Sequence, residues 1–116
     1  MNSSQAKAEV THLNIEKQTF FNLRHYEYGE AFFGSYKGMR YRLAREPLEH
    51  VFFVPVEARD PDARLMATVW SEPYSYHDTD ESKMISEKFP ITEEGFEDAI
   101  KWINERYDNG SWDENF

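Results

Sequence analysis

Cysteine is absent from the chain, which excludes disulfide bonds, thiolate metal sites and cysteine nucleophiles. Glycine and proline are sparse, five of each in 116 residues. The glycines form no phosphate-cradling loop: Gly29, Gly34 and Gly38 stand five and four residues apart, in strand and turn contexts that suit bulges and turns. Long apolar runs are also missing. The longest, residues 51–56, is interrupted by Pro55, far short of the ~20 residues a membrane helix needs. Residues 1–9 are small and polar with no apolar stretch; they read as a flexible arm rather than a secretory leader, and the expected location is cytoplasmic. Positive charge is scarce as well. Thirteen basic against 22 acidic side chains leave a formal charge of −9, which opposes direct nucleic-acid binding and adsorption to an anionic membrane.

The charge that is present is one-sided. Residues 1–71 hold nine acidic and nine basic side chains, whereas residues 72–116 hold thirteen acidic and four basic. The whole net charge belongs to the last third of the chain, and such a field steers basic partners. Aromatic residues make up 16% of the sequence, enough for a core built on Phe, Tyr and Trp. The length suits one hydrophobic core, so residues 1–116 are expected to form a single domain.

Hydrophobic periodicity predicts strands first and a helix last. Residues 19–23 (TFFNL) are apolar and β-favouring, and residues 26–29 read as a bend. Residues 30–36 (EAFFGSY) and 39–45 (MRYRLAR) form a hairpin about Lys37 and Gly38. In the second strand Met39, Tyr41 and Leu43 point one way, and Arg40, Arg42 and Ala44 the other. Residues 50–56 (HVFFVPV) read as a further strand with Pro55 near its end or at an edge. Residues 64–71 (RLMATVWS) are apolar on both faces, which argues for a central position. A short helix is expected over 81–88. The clearest element follows: Thr92 as N-cap, Glu93 and Glu94 in the first turn, Ile91 and Phe96 as a staple, and a stripe of Phe96, Ala99, Ile100, Ile103 and Tyr107, with Asn109-Gly110 as the stop. The expected fold class is α+β, a three- or four-stranded antiparallel sheet packed against a C-terminal amphipathic helix.

Candidate chemistry is thin. Ser35, Ser71 and Ser75 lack a nucleophile-elbow context. His77, Asp78, Asp80 and Glu81 form the densest group of potential metal ligands, but without the glycine and register of a calcium loop; a solvated loop capping the next element is the simpler expectation. No catalytic, cofactor-binding or metal-binding residue is assigned. Arg40 and Arg42 share a strand face, with Arg45 near the strand end. They could clamp a carboxylate or phosphate, but pairing with Glu30, Glu46, Glu49 or the acidic helix is the favoured reading. On the last helix, Glu94, Glu97, Asp98 and Glu105 should face water together with Lys101. Trp102 falls on the flank of the stripe, where a binding anchor and a packing role are equally open. Tyr74, Tyr76, Trp112 and Phe116 lie in loop or tail positions.

Residues 26–47 (YEYGEAFFGSYKGMRYRLAREP), 67–74 (ATVWSEPY) and 89–104 (FPITEEGFEDAIKWIN) together resemble a group of short bacterial proteins that share a GMRYR-type strand, a VWPEP-type strand end and a final FP-x-x-EEG helix. Ser71 stands where that pattern has proline. Some such proteins carry an acetyltransferase label, yet the coenzyme-A pyrophosphate loop of that class is not found here. The resemblance therefore implies no activity, cofactor or site residue.

These readings lead to a non-catalytic protein-binding domain. Its contact surface would be Glu94, Glu97, Asp98, Trp102 and Glu105, and its partner a protein with a basic surface. One form is an inhibitor occupying the basic groove of a nucleic-acid-processing protein, as small acidic anti-CRISPR proteins do. The alternative is a small enzyme or metabolite-binding domain using the Arg40 and Arg42 face.

Overall fold

The cleanest alternation in the sequence becomes strand β2, Met39–Glu46, hydrogen-bonded along one side to β1, Ala31–Tyr36. The computed structural model describes residues 13–48 and 61–112. Lys37 and Gly38 close the hairpin with φ of 45° and 92°. Positive φ at both central residues is the type I′ turn, whose twist matches that of the flanking strands. Along its other side β2 pairs with β3, Arg64–Ser71, and β3 pairs with β4, Ile85–Phe89, giving an antiparallel sheet in the order β1-β2-β3-β4.

The period-two side chains of β2 and β3 sort into two faces. Tyr41 lies opposite Val69 and Leu43 opposite Ala67, while Arg42 lies opposite Thr68 and Arg40 opposite Trp70. Met39, Tyr41, Leu43, Leu65, Ala67 and Val69 form one apolar face. A 17-residue helix covers it: α2, Glu93–Asn109, which among the described residues follows the short α1, Leu23–Glu27. Thr92 accepts a hydrogen bond from the Gly95 amide at 2.9 Å and starts α2, as its cap chemistry predicts. Phe96, Ala99, Ile100 and Ile103 are fully or almost fully buried against the sheet, and Tyr107 meets Tyr36 ring edge to ring face at 4.8 Å. The expected α+β architecture is therefore present.

Gly34 lies opposite Tyr41 across β1 and β2. A Cβ at this glycine would overlap the phenol end of Tyr41, so only glycine lets that ring cross the strand and reach Phe20, 5.3 Å away between centroids.

Two local expectations are corrected. Residues 19–23 do not extend into a strand: Lys17–Phe20 forms a 3-10 turn, and α1 follows. The cause is local hydrogen bonding. Asn22 caps α1 by accepting from the His25 amide at 3.3 Å, and the buried Tyr26 hydroxyl donates to the Phe20 carbonyl at 2.7 Å. Residues 81–88 are not one helix either. Glu81–Lys83 makes a single 3-10 turn, after which Ile85–Phe89 adds to the free edge of β3. Ladder hydrogen bonds to an open strand outweigh a weak helix preference here. The strand expected over 50–56 lies outside the described residues.

Asn104 holds the beginning of the described chain onto α2. It is buried, its Oδ1 accepts from the Ile15 amide at 2.7 Å, and its Nδ2 donates to the Ile15 and Ile100 carbonyls at 3.1 and 2.9 Å. Asn14 adds a bond from its Nδ2 to Asp108 Oδ1 at 2.9 Å.

Burial pushes the Tyr26 phenol well above the ordinary tyrosine range, and burial raises Tyr41 as well. A phenol held neutral in the folded chain stabilises it fully below the ordinary value of about 10. That contribution is lost as pH rises from there toward the folded value, because the unfolded chain ionises first. Tyr26→Phe should cost about 1–2 kcal/mol at neutral pH through its lost hydrogen bond. It should also reduce the loss of stability between neutral pH and about pH 11. Urea midpoints at both pH values check this; an unchanged alkaline slope in the variant would contradict it.

Candidate functional site

The outward side of α2 follows from its stripe. With one side of the helix on the sheet, Glu94, Glu97, Asp98 and Glu105 fall on the opposite side at helical spacing, and all are exposed. Lys17, from the 3-10 turn before α1, reaches the start of this row: its Nζ lies 2.9 Å from Glu97 Oε2 and 3.6 Å from Glu93 Oε1. The Glu97 hydrogen bond, aided by the charges of both carboxylates, holds the Lys17 ammonium above its ordinary pKa. Lys101 is half-buried within the row. Trp102 stands apart from the carboxylates, half-buried at the seam with β4, 6.3 Å from the Phe89 ring and with the Arg106 guanidinium 5.6 Å from its own. Four of the five expected contact residues thus share one surface, and Trp102 borders it.

Arg40 and Arg42 are on the other side of the sheet. The acidic helix therefore cannot pair with them, contrary to that part of the sequence expectation; Glu49 lies outside the described residues. Arg42 is only 4% exposed. Its guanidinium carbon sits 4.5 Å from the ring centre of Tyr76 and 5.7 Å from that of Phe33. These ring faces offset part of the cost of removing the cation from water. Its Nε and Nη1 have no hydrogen-bond partner among the described residues. Arg45 is also buried, at 5% exposure, but strand parity places it opposite Leu65 on the other face. These are interior cations rather than a solvated sheet surface.

Residues 72–80 position the aromatic cover. Trp70 Nε1 donates to the Tyr74 carbonyl at 2.8 Å, Ser75 Oγ donates to Asp78 Oδ2 at 3.0 Å, and Thr79 Oγ1 donates to the Ser75 carbonyl at 2.6 Å. Asp80 caps the following 3-10 turn through the Ser82 amide. Asp78 and Asp80 thereby serve the loop's own turns. The folded loop brings Tyr76 within 5.6 Å of Trp70 and 6.0 Å of Phe33, between ring centres. A cavity of about 280 Å³ remains where this loop meets the β1–β2 hairpin, lined by Phe33, Arg40, Trp70, Ser75, Tyr76 and His77 among others.

Phe33, Trp70 and Tyr76 were not singled out together from the sequence. A signal for Phe33 existed: a two-residue turn at Lys37 and Gly38 fixes Phe33 opposite Arg42. No comparable signal placed Tyr76. Of the other loop and tail aromatics, Tyr74 is exposed, and Trp112 is half-buried with its Nε1 donating to the Arg106 and Tyr107 carbonyls at 3.2 Å. Phe116 lies outside the described residues. No helix among the described residues is long and apolar enough to cross a membrane. Comparison with known proteins gives no match to a family, a curated protein or a solved structure.

Because Arg42 is buried between rings, Arg42→Gln should lower stability by about 1–3 kcal/mol. The same change at the exposed Arg24 should stay within about 0.5 kcal/mol. Denaturant midpoints compare the two, and equal small effects would show that the aromatic enclosure contributes nothing.

Proposed function

We propose that the chain is a non-catalytic protein-binding domain whose contact surface is the carboxylate row of α2, Glu94, Glu97, Asp98 and Glu105, bordered by Trp102. The partner is a protein with a basic groove, and the nucleic-acid-binding channel of a processing enzyme is the form of groove that best suits this charge. The observation that carries the reading is the separation of charge by the sheet. Arg40 and Arg42, which the sequence offered as partners for the acidic helix, lie on the opposite face of the sheet from α2, beside Trp70 and Thr68. The row is thus left with Lys17 at one end and Lys101 within it. An exposed, one-sided row of carboxylates steers basic surfaces and accelerates encounter more than it tightens the final complex.

The test is association kinetics on a partner recovered by pull-down at low salt. Association should be fast at low salt and slow steeply as salt rises. Asp98→Lys combined with Glu105→Lys should lower the on-rate by about tenfold or more, with little change in melting temperature because neither side chain touches the core. A complex whose on-rate ignores both salt and the double reversal would overturn the proposal.

A further inference from the structure

The cavity beneath residues 75–77 lies on the opposite face of the sheet from α2, so its chemistry is independent of the carboxylate row. Its walls are aromatic on three sides: Phe33 from β1, Trp70 from the end of β3 and Tyr76 from the loop. Two of these rings are held in place. Tyr76 is pinned over the Arg42 guanidinium, and Trp70 is anchored by its indole bond to Tyr74. Phe33 is 50% exposed, which leaves a ring face at the rim. Apolar rings with a few fixed polar groups are the usual composition of a small-molecule site, and the volume falls just under the roughly 300–1,000 Å³ typical of such sites.

Arg40 supplies the charge. It is half-buried on this face, and its Nε is shut off from water with no hydrogen-bond partner among the described residues. With Nε closed off, the terminal Nη1 and Nη2 form the edge through which Arg40, a lining residue of the cavity, can receive both oxygens of a carboxylate. Arg42 does not compete for the role, because Tyr76 covers it. The cavity therefore offers one cation and a stack of rings inside a protein whose overall charge is −9. That combination favours an anion of single charge over a phosphate or a nucleotide, which a single arginine would leave largely unneutralised in a negative field.

We propose that this cavity binds a small planar aromatic monocarboxylate, with its ring against Trp70 and Tyr76 and its carboxylate on Arg40.

Calorimetric titration of the whole chain with benzoate and indole-3-acetate tests the assignment. Acetate, indole and inorganic phosphate serve as probes that carry only the charge, only the ring, or the wrong anion. The aromatic carboxylates should bind saturably and more tightly than each of the other three. Arg40→Gln should weaken indole-3-acetate by about tenfold or more, in line with a charge-assisted pair, and leave indole unchanged. Arg40→Lys keeps the charge but loses the fork; it should lie between wild type and Arg40→Gln, and it carries the comparison if the glutamine variant is unfolded. Amide and indole NMR shifts on adding indole-3-acetate should cluster at Phe33, Trp70 and residues 75–77. Absence of saturable binding, binding equal to that of acetate or phosphate, indifference to both Arg40 variants, or shifts centred on α2 would each overturn the proposal.

Discussion

Every other contact in the domain depends on the register in which β2 lies against β3. Side chains alternate across a strand, so a slip of one residue exchanges the faces completely. In the observed register Tyr41, Leu43, Val69 and Ala67 meet the stripe of α2, and Arg40 and Arg42 are turned away with Thr68 and Trp70. Slipped by one, β2 would drive two guanidinium groups against Phe96 and Ile100. The same slip would remove Met39, Tyr41 and Leu43 from the core, and loss of that apolar burial enforces the register more strongly than any single hydrogen bond. The hairpin turn at Lys37 and Gly38 cooperates, because a two-residue loop fixes which residues of β1 face which of β2.

The same constraint distributes the electrostatics. With Arg40 and Arg42 behind the sheet, Lys17 is the cation that forms ion pairs with α2 among the described residues. On the far face Arg42 is balanced by ring faces, through the short contact with Tyr76. One side of the molecule is thus a solvated negative surface and the other an aromatic, arginine-containing interior with a cavity at one end. A protein partner and a small ligand would address these sides separately, since a central sheet lies between them.

Much of this arrangement was legible in the sequence wherever periodicity and capping spoke together. The alternation of 39–45, the two-sided apolar character of 64–71 and the cap, staple and stripe of the last helix each specified type, extent and buried face. The readings that failed were those where one local signal stood alone. Phe20 and Phe21 look like strand residues, yet an Asn22 cap and a Tyr26 hydroxyl make helical turns of their neighbourhood. Residues 85–89 carry little pattern, and the open edge of β3 decided their state. Asn104 offered no sign that it would be buried, since its role rests on Ile15, distant in sequence. Tyr76 was hidden for a similar reason: its place over Arg42 is set by hydrogen bonds inside the 72–80 loop rather than by any period in the chain.

The central claim is that the sheet separates Arg40 and Arg42 from the carboxylates of α2, and a pair of double-mutant cycles tests it most directly. One cycle couples Arg42 with Tyr76, using Arg42→Gln and Tyr76→Leu; the other couples Arg42 with Asp98, using Arg42→Gln and Asp98→Asn. Stability from urea unfolding should give a coupling of about 1 kcal/mol or more for the first. The second should be additive to within about 0.5 kcal/mol, as expected for distant sites. Coupling between Arg42 and Asp98 with none between Arg42 and Tyr76 would place the arginine on the helix side and contradict the account.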